Sequence, residues 1–419
     1  MRLPVLGSAV GALALTLAAH PVHGAERLTL ARVQQLVRQQ APDVLSARTA
    51  LREAQGARAG ATPLFATNPS VSGGAGVVGQ PEGWRPREWG VGGAGTLSVQ
   101  VPVEIAGQRS LRVGAADAVI KAREHAQGDA TRRAMLVATD AFARALHAQR
   151  LAEVAHASVD LARRFQAAAH GLRDAGLGSA LEVDLARLEV EETSQVALSA
   201  EINALRLRTE LLAYLGLPPD AYDSVDGELA QHAPLPPLEP ALRRVAERAD
   251  IQGLRAERLA ALRQANLAHA DAFPTPVLGA QYEFQHQAPA PQHVLMAQVT
   301  FPLPVFARGQ GEEGRARARA AGLADEEEQA RRGAEAQVRA AHALLSRIRE
   351  ARDARPAESA EGAELLARLE RNYALRVVDL NTVLGVQRRL IQARRASLDL
   401  DLQEALARVW LDAAMGGFP

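Results

Sequence analysis

Histidines are the side chains with the clearest capacity for metal or acid–base chemistry in this chain, which has 11 histidines and no cysteine. Four of them lie along one Ala-rich stretch without the i, i+4 spacing that places two ligands on one helix face: His125, His147, His156 and His170. The chain also lacks the H-E-x-x-H, G-x-S-x-G and P-loop motifs. The sequence therefore predicts a protein that is not an enzyme and has no cofactor or resident metal.

Two further histidines, His286 and His293, flank a predicted turn. They could contact a metal ion, but we favour a pair of solvated loop side chains. The 48 basic and 48 acidic residues balance, so no overall positive field would attract nucleic acid, and we expect no nucleic-acid partner. The absence of cysteine excludes disulfides and thiol chemistry.

The first 24 residues have the features of a secretory signal peptide. Arg2 precedes an apolar run from Leu3 to about Ala19, and small residues follow at Gly24 and Ala25. The apolar run is shorter than the ~20 residues that a membrane-spanning helix needs. We therefore expect residues 1–24 to be removed on export, and the lack of a cysteine argues against a lipoprotein.

An internal duplication organises the rest of the chain. Residues 25–217 and 240–419 each begin with an amphipathic helix, continue with two short strands and end in a long helical hairpin. The opening helices place Asp43-Val44 opposite Asp250-Ile251. A Pro-rich linker, residues 218–239, joins the two copies.

The two strand pairs, about 70–102 and 277–302, show the period of two that indicates β-strands with one apolar face. In the second pair, apolar residues alternate with Gln, Glu and Thr, and the apolar set is Leu278, Ala280, Tyr282, Phe284, Leu295, Ala297, Val299 and Phe301. Strands of about ten residues match the thickness of a bilayer when they are tilted. Soluble hairpins packed on helices are the alternative interpretation.

Strands in lipid would require several copies of this chain. A four-stranded sheet has open edges, and unpaired backbone groups cost several kcal/mol each in hydrocarbon, so only a closed barrel is viable there. Trp84 and Trp89, at the turn of the first strand pair, would suit the aromatic belt at a membrane interface.

The helical segments are unusually long. After Gly107 about 65 residues lack proline, which predicts a continuous helix of roughly 100 Å. Apolar residues then recur at three-, four- and seven-residue steps in the returning helix, as in Leu181, Leu185, Leu188, Leu198, Ile202, Leu205 and Leu212. This spacing predicts antiparallel coiled-coil hairpins, and Pro356 should interrupt the second long helix.

The strand-to-helix junctions "VPVEIAGQRSLRVGAADA" and "FPLPVFARGQGEEGRARA", with the duplication and the order of elements, resemble TolC-family outer-membrane efflux proteins. The resemblance is closest to the CzcC-like heavy-metal branch. It implies a mainly α fold with a small β part: a homotrimer whose twelve-stranded outer-membrane β-barrel continues as a periplasmic α-helical barrel. At the junctions, Pro102, Pro302 and Pro304 would end strand pairing, and Gly107 and Gly309 would relieve the turns.

The resemblance also implies a function and partners. The chain would be the exit duct of a tripartite resistance-nodulation-division efflux system in the outer membrane, exporting heavy-metal cations. It would contact a periplasmic adaptor protein, an inner-membrane pump and outer-membrane lipid. Drug efflux and type I secretion use ducts of the same fold, and an exported coiled-coil adaptor or scaffold without membrane insertion is the alternative from another class.

The turns of the two helical hairpins are the docking and gating region that the resemblance implies. The residues that we assign to this role are Gly176, Leu177, Ser179, Glu182 and Asp184 at the first turn, and Leu375, Val378 and Asp379 at the second. Leu375-Arg376 stands where the family has a glycine turn. Thr382 and Gly385 stand where some relatives have aspartates, which argues against an acidic ring at the entrance. We expect Leu177, Ser179 and Val378 to contact the adaptor.

Overall fold

The computed structural model describes residues 27–78, 92–229, 234–287, 290–306, 308–354 and 359–417. The expected signal peptide, Trp84, Trp89 and Pro356 lie outside these residues. The fold is mostly helical with a small β part, as predicted. The first half contains β1 (Arg27–Thr29), α1 (Leu30–Gln40), α2 (Pro42–Ala61), β2 (Ser70–Val78), β3 (Gly92–Pro102), α3 (Gln108–Asp174) and α4 (Ala180–Tyr214).

The second half repeats this order after β4 (Ser224–Asp226). It contains α5 (Leu238–Arg244), a short 3₁₀ turn (Val245–Glu247), α6 (Ala249–Ala270), β5 (Val277–Gln287), β6 (Ala290–Thr300), α7 (Gln310–Asp353), α8 (Ser359–Ala374) and α9 (Leu380–Ala414). The second long helix is thus two helices, α7 and α8, where the first half has the single 67-residue α3.

The opening element of each half is broken, which corrects the prediction of one amphipathic helix per copy. Ala41 (ψ 133°) and Arg248 (ψ 137°) are both extended between two helical segments. Pro42 explains the first break, because a proline disfavours the α-helical conformation of the residue before it. At the second break, the Arg248 guanidinium is buried and donates to the Ala414 carbonyl at 3.0 Å and to Asp250 at 2.7 Å. These partners hold Arg248 away from helical geometry.

The sequence prediction missed a two-stranded parallel sheet of β1 and β4. Leu28 and Val225 lie opposite each other in it, and both are buried. They join a core that α1, α3 and the end of α4 complete, with Val33, Val37, Phe142, Leu146, Leu211 and Leu212 among its members. Two three-residue strands are too short to show the alternation that identifies the longer ones.

The other four strands form one antiparallel sheet in the order β2-β3-β5-β6. The two predicted strand pairs are therefore joined through β3 and β5, with Leu97 opposite Tyr282. Strands β2 and β6 are its edges. Strands of 9 to 11 residues have the length of membrane-spanning β-strands.

The helices pack mainly through alanine. Helix α3 contacts α2, α4, α6, α8 and α9, and most of its buried residues are alanines, such as Ala134, Ala138, Ala145 and Ala162. Small side chains let neighbouring backbones approach closely. At 1.5 Å per residue, α3 is about 100 Å long. No described helix is both long enough and apolar enough to cross a bilayer.

Candidate functional site

The four-stranded sheet has two chemically different faces, as the alternation predicts. Because paired residues point to the same side of a sheet, the register assigns one face to the rows Val71-Val99-Ala280-Ala297, Gly73-Leu97-Tyr282-Leu295 and Val101-Leu278-Val299. Leu295 is 80% exposed and Val71 is 67% exposed. Exposed apolar faces of this kind mark sites of contact with a partner or a membrane.

The opposite face of the same sheet is largely polar. It carries Ser70, Ser72, Ser98, Gln100, Gln281, Glu283, Gln285, Gln292 and Gln298, and its apolar members include Ala94, Val277, Val294 and Met296. The Ser72 and Ser98 hydroxyls share a 2.8 Å hydrogen bond across β2 and β3. Membrane β-barrels have the same distribution, with an apolar face toward lipid and a polar face toward water.

The two junctions between sheet and long helix use the same turn. Gly107 (φ 73°) and Gly309 (φ 67°) have left-handed backbone conformations at the start of α3 and α7, and a Cβ on Gly309 would lie 2.7 Å from the Ala268 carbonyl oxygen. The next residue closes the turn: Gln108 Oε1 accepts from Ala106 N at 2.8 Å, and Gln310 Oε1 accepts from Arg308 N at 2.6 Å. Sequence reasoning identified the glycines but missed this repeated Gly-Gln pair.

The prolines of the junctions lie at or just beyond the strand ends. Pro102 is the last residue of β3 and is opposite Val277, while Pro302 and Pro304 follow the end of β6. Between β6 and α7 the chain exposes four large apolar side chains, and Phe306 is 89% exposed. The four are Phe301, Leu303, Val305 and Phe306.

The first junction is anchored by an Arg–Glu ion pair, whereas in the second one Arg308 donates to the Pro304 carbonyl at 3.2 Å. Arg112 pairs with the largely buried Glu104 and donates to the Ala61 carbonyl at 3.2 Å, so it links the junction to the end of α2. Burial and the nearby Glu104 carboxylate raise the pKa of Asp271 above its ordinary value. The position of Glu104 is taken by a proline, Pro304, in the second junction.

The turn between α3 and α4, which we call tip 1 (residues 175–182), is a Schellman turn followed by a capping box. Leu177 N donates to the Leu172 carbonyl at 2.8 Å, and Gly176 has φ 74°. Glu182 N donates to Ser179 Oγ at 3.2 Å, and Ser179 N donates to the Glu182 carboxylate at 3.1 Å. Glu182 therefore has a structural role, whereas Asp184 is exposed.

The turn between α8 and α9, which we call tip 2 (residues 375–382), repeats this geometry without glycine. Val377 N donates to the Asn372 carbonyl at 2.9 Å, and Arg376 occupies the left-handed position with φ 61°. It is the one non-glycine residue with positive φ among the described residues. Asp379 caps α9 by accepting from Thr382 N at 2.8 Å. A left-handed arginine costs roughly 1–2 kcal/mol.

Arg376 joins the two tips. Its guanidinium donates to Glu182 at 2.7 Å and to the Leu177 carbonyl oxygen of tip 1. Hydrogen bonds from Arg376 and from Ser179 N lower the pKa of Glu182 below its ordinary value of 4.5. Hydrogen bonds from Thr382 lower the pKa of Asp379 below 3.8. Glu182 and Asp379 thus serve as caps, and Glu182 is also one half of an inter-tip ion pair.

A shared apolar core lies just behind the tips. Tyr373 is fully buried and meets Phe165 edge to face at a centroid distance of 6.1 Å. Val183, Val383 and Leu384 complete the contact between the two helical hairpins. The Tyr373 hydroxyl is buried and has no hydrogen-bond partner among the described residues.

The tip residues that remain available to a partner differ from the prediction at one position. Leu177 and Leu375 are 62% and 73% exposed, and Ser179 is also exposed. Val378, however, packs against the tip core, and its neighbour Val377 is 71% exposed. The turn rotates position 377 outward because it is the residue that closes the Schellman turn.

The leucine stripe of α4 is also placed differently from the coiled-coil prediction. Leu212 is buried and Leu185 packs on the tip core, as a hairpin stripe should. The others are exposed: Leu181, Leu188, Leu198, Ile202 and Leu205. Helix α4 contacts α3 through smaller residues such as Ala186 and Ala197, so the stripe faces away from the chain.

The described residues contain no group of three or more His, Asp or Glu side chains arranged to hold a metal ion. His147 Nε2 instead lies 2.9 Å from Asp399, which connects α3 and α9. His293 Nδ1 lies 2.6 Å from the Tyr282 hydroxyl on β5.

Comparison with solved structures identifies the fold. CusC, from a study of its folding and transmembrane channel formation, has a TM-score of 0.70 and 18% identity over 93% of this chain and 92% of its own. VceC of Vibrio cholerae, an outer-membrane protein, has a TM-score of 0.67 and 19% identity over 93% and 96%. The CmeC outer-membrane channel of Campylobacter jejuni has a TM-score of 0.69 and 14% identity over 100% and 94%.

This is the outer-membrane channel fold. The solved relatives are channel proteins and not enzymes. No protein-family model and no curated protein matches the sequence. The TolC-type fold that the sequence resemblance implied is thereby supported by its structural neighbours, at identities that establish the fold alone.

Proposed function

We propose that this protein is the outer-membrane exit duct of a tripartite efflux system. The observation that carries the proposal is the four-stranded sheet with one exposed apolar face and one polar face, in a chain with the outer-membrane channel fold. The apolar face would contact lipid and the polar face would line the lumen. The helices would extend the duct into the periplasm.

Two features support assembly into a trimer. Edge strands β2 and β6 run in opposite directions, so β6 of one copy can pair antiparallel with β2 of the next, which closes the sheet and satisfies its edges. The exposed stripe of α4 offers a second contact, because Leu181, Leu188 and Ile202 are spaced by multiples of seven residues. Three copies would give twelve strands.

The tips are the end of the molecule that would meet an adaptor protein, in line with the resemblance. The apolar side chains available there are Leu177, Leu375 and Val377, with Ser179 beside them. Val377 replaces Val378 in our assignment because Val378 packs inward. An inner-membrane resistance-nodulation-division pump would complete the system.

Heavy-metal cations are the cargo that we propose, on the resemblance of the two junction sequences to the CzcC-like branch. The polar face of the sheet supports passage of hydrated cations, since it is rich in amide and hydroxyl groups and carries one acid, Glu283, in the described residues. Organic compounds and secreted proteins are the alternative cargoes.

A gene deletion tests both levels of the proposal. Cells without the protein should become sensitive to zinc, cobalt, cadmium or copper but not to dyes and antibiotics. Sensitivity to organic compounds instead would keep the duct and replace its cargo. In parallel, the protein should require detergent for extraction and have the mass of a trimer in it, whereas extraction by high salt as a monomer would contradict the duct.

A further inference from the structure

The second strand pair ends in an aromatic and histidine cluster on the apolar face. Phe284 lies opposite His293, and His286 follows two residues after Phe284 on the same side. The Phe284 and His293 rings are 5.1 Å apart, and the Tyr282 and His293 rings stack at 6.0 Å. Both histidines are exposed.

These histidines are isolated from acids. In the described parts of the four strands the one charged residue is Glu283, and the alternation places it on the opposite, polar face. Glu283 is also hydrogen-bonded to Gln285 on that face. No described carboxylate of the sheet therefore faces His286 or His293, and any anion that pairs with them comes from outside the strands.

The height of the cluster matches the edge of a bilayer. From Phe301, at the other end of the apolar face, to His293 there are eight residues, or roughly 27 Å of strand. At the ~40° tilt of barrel strands this is roughly 21 Å of height, close to the ~25 Å apolar band of outer-membrane barrels. Exposed Phe301, Leu303 and Phe306 mark one boundary of the band, and His286 and His293 mark the other.

We propose that His286 and His293 bind the phosphate of lipid headgroups that carry a net negative charge, at the outer edge of the barrel. This inference rests on the proposed insertion of the sheet in the membrane. With the Tyr282 hydroxyl donating to Nδ1, or with the ring fully protonated, Nε2 of His293 carries a proton and can donate to a phosphate oxygen. Tyr282 and Phe284 occupy the interfacial level that aromatic rings prefer.

Lipid binding to the full-length, detergent-solubilised protein tests the proposal. Native mass spectrometry at pH 6 would count phosphatidylglycerol and phosphatidylcholine molecules bound per assembly. We expect about a fivefold preference for phosphatidylglycerol.

Variants separate charge from shape. His286→Gln with His293→Gln should abolish the preference, whereas the control pair His156→Gln and His170→Gln on α3 should retain it. His286→Lys with His293→Lys should keep the preference, because lysine is a positively charged donor. A lipid preference that survives in the double glutamine variant would overturn the proposal. The proposal would also be overturned if the wild type showed no lipid preference but bound zinc, and the double glutamine variant did not bind zinc. A protein that needs no detergent would contradict the duct itself.

Discussion

Tip 1 and tip 2 have the same backbone turn, but different residue types occupy its left-handed position. In tip 1 the residue with positive φ is Gly176, which has no Cβ and therefore no steric strain. In tip 2 it is Arg376, whose Cβ is strained in this conformation. The strained residue is also the one whose side chain crosses to Glu182 and Leu177. Tip 2 thus places the side chain that connects the two hairpins on the strained position of its turn.

A substitution at Gly178 in tip 1 should destabilise the protein more than any of the changes described below. A Cβ on Gly178 would lie 2.7 Å from Arg173 N and 3.0 Å from the Leu172 carbonyl carbon, both backbone atoms. Gly178→Val, which copies the residue found at position 378, should destabilise the protein by about 2–3 kcal/mol. Thermal unfolding in detergent would measure the change, with the exposed Gly171→Ala in α3 as control. An unchanged melting temperature would show that tip 1 can adopt the backbone of tip 2.

The contacts of Arg376 with Glu182 and with the Leu177 carbonyl form a bridge between the tips. Removing this bridge while keeping the strained φ should have the next largest effect on stability. Arg376→Ala loses the pair with Glu182 and the bond to the Leu177 carbonyl but leaves a Cβ at positive φ, so we expect a lower melting temperature than that of the wild type. Hydrogen exchange at Leu177 to Glu182 should accelerate. Arg371→Ala, on the exposed surface of α8, is a matched control that should not change the exchange.

Arg376→Gly removes the bridge and the strained φ together, so its comparison with Arg376→Ala separates the two contributions to stability. Relief of roughly 1 kcal/mol of strain should offset the lost ion pair, so the melting temperature should stay near that of the wild type while exchange at tip 1 still accelerates. If Arg376→Gly and Arg376→Ala melt at the same temperature, the positive φ at position 376 carries no strain.

Acid should weaken tip 2 and the bridge before it weakens the Ser179 cap. The pKa values of Glu182 and Asp379 are lowered in the folded protein, so their stabilisation is complete above the ordinary pKa values of 4.5 and 3.8 and is lost as pH falls through the lower folded values. Amide exchange at Asp379 to Val383, corrected for intrinsic rates, should increase below about pH 4. In Asp379→Ser, whose cap matches Ser179, that increase should be smaller.

The smallest expected effect is at the buried phenol behind the tips. Tyr373→Phe removes a hydroxyl without a described partner and keeps the ring against Phe165, so it should leave stability unchanged or raise it by up to about 1 kcal/mol. Phe165→Tyr is the reciprocal control and should be destabilising. A clear loss of stability in Tyr373→Phe would reveal a partner for the hydroxyl.

The sequence predicted the elements whose patterns are local. Alternation in β3, β5 and β6 needs only neighbouring residues to be visible, and the absence of proline from α3 is equally local. The break at Arg248 could not be predicted, because its guanidinium is held by Ala414, which is 166 residues away. One feature of the sequence could have predicted the left-handed conformation of Arg376: it lies 200 residues after Gly176, at the corresponding position of tip 2.

The sequence predicted the location of the candidate site better than it predicted the orientation of individual side chains there. The turns and junctions follow from glycine, proline and capping residues, but the exchange of Val378 for Val377 depends on how the Schellman turn orients each side chain. The heptad spacing of α4 was visible, yet spacing does not identify the partner of a stripe. Leu188 and Ile202 therefore looked like core residues and lie on the surface of the single chain.

The pairing of β1 with β4 has a consequence for the order of folding. Arg27 to Thr29 leave the ribosome early, but their partners, Ser224 to Asp226, follow nearly 200 residues later. Until then Leu28, which is fully buried in the finished protein, lacks its strand partner Val225. The first half can thus form its helices as it is synthesised, but its core closes only when the start of the second half arrives.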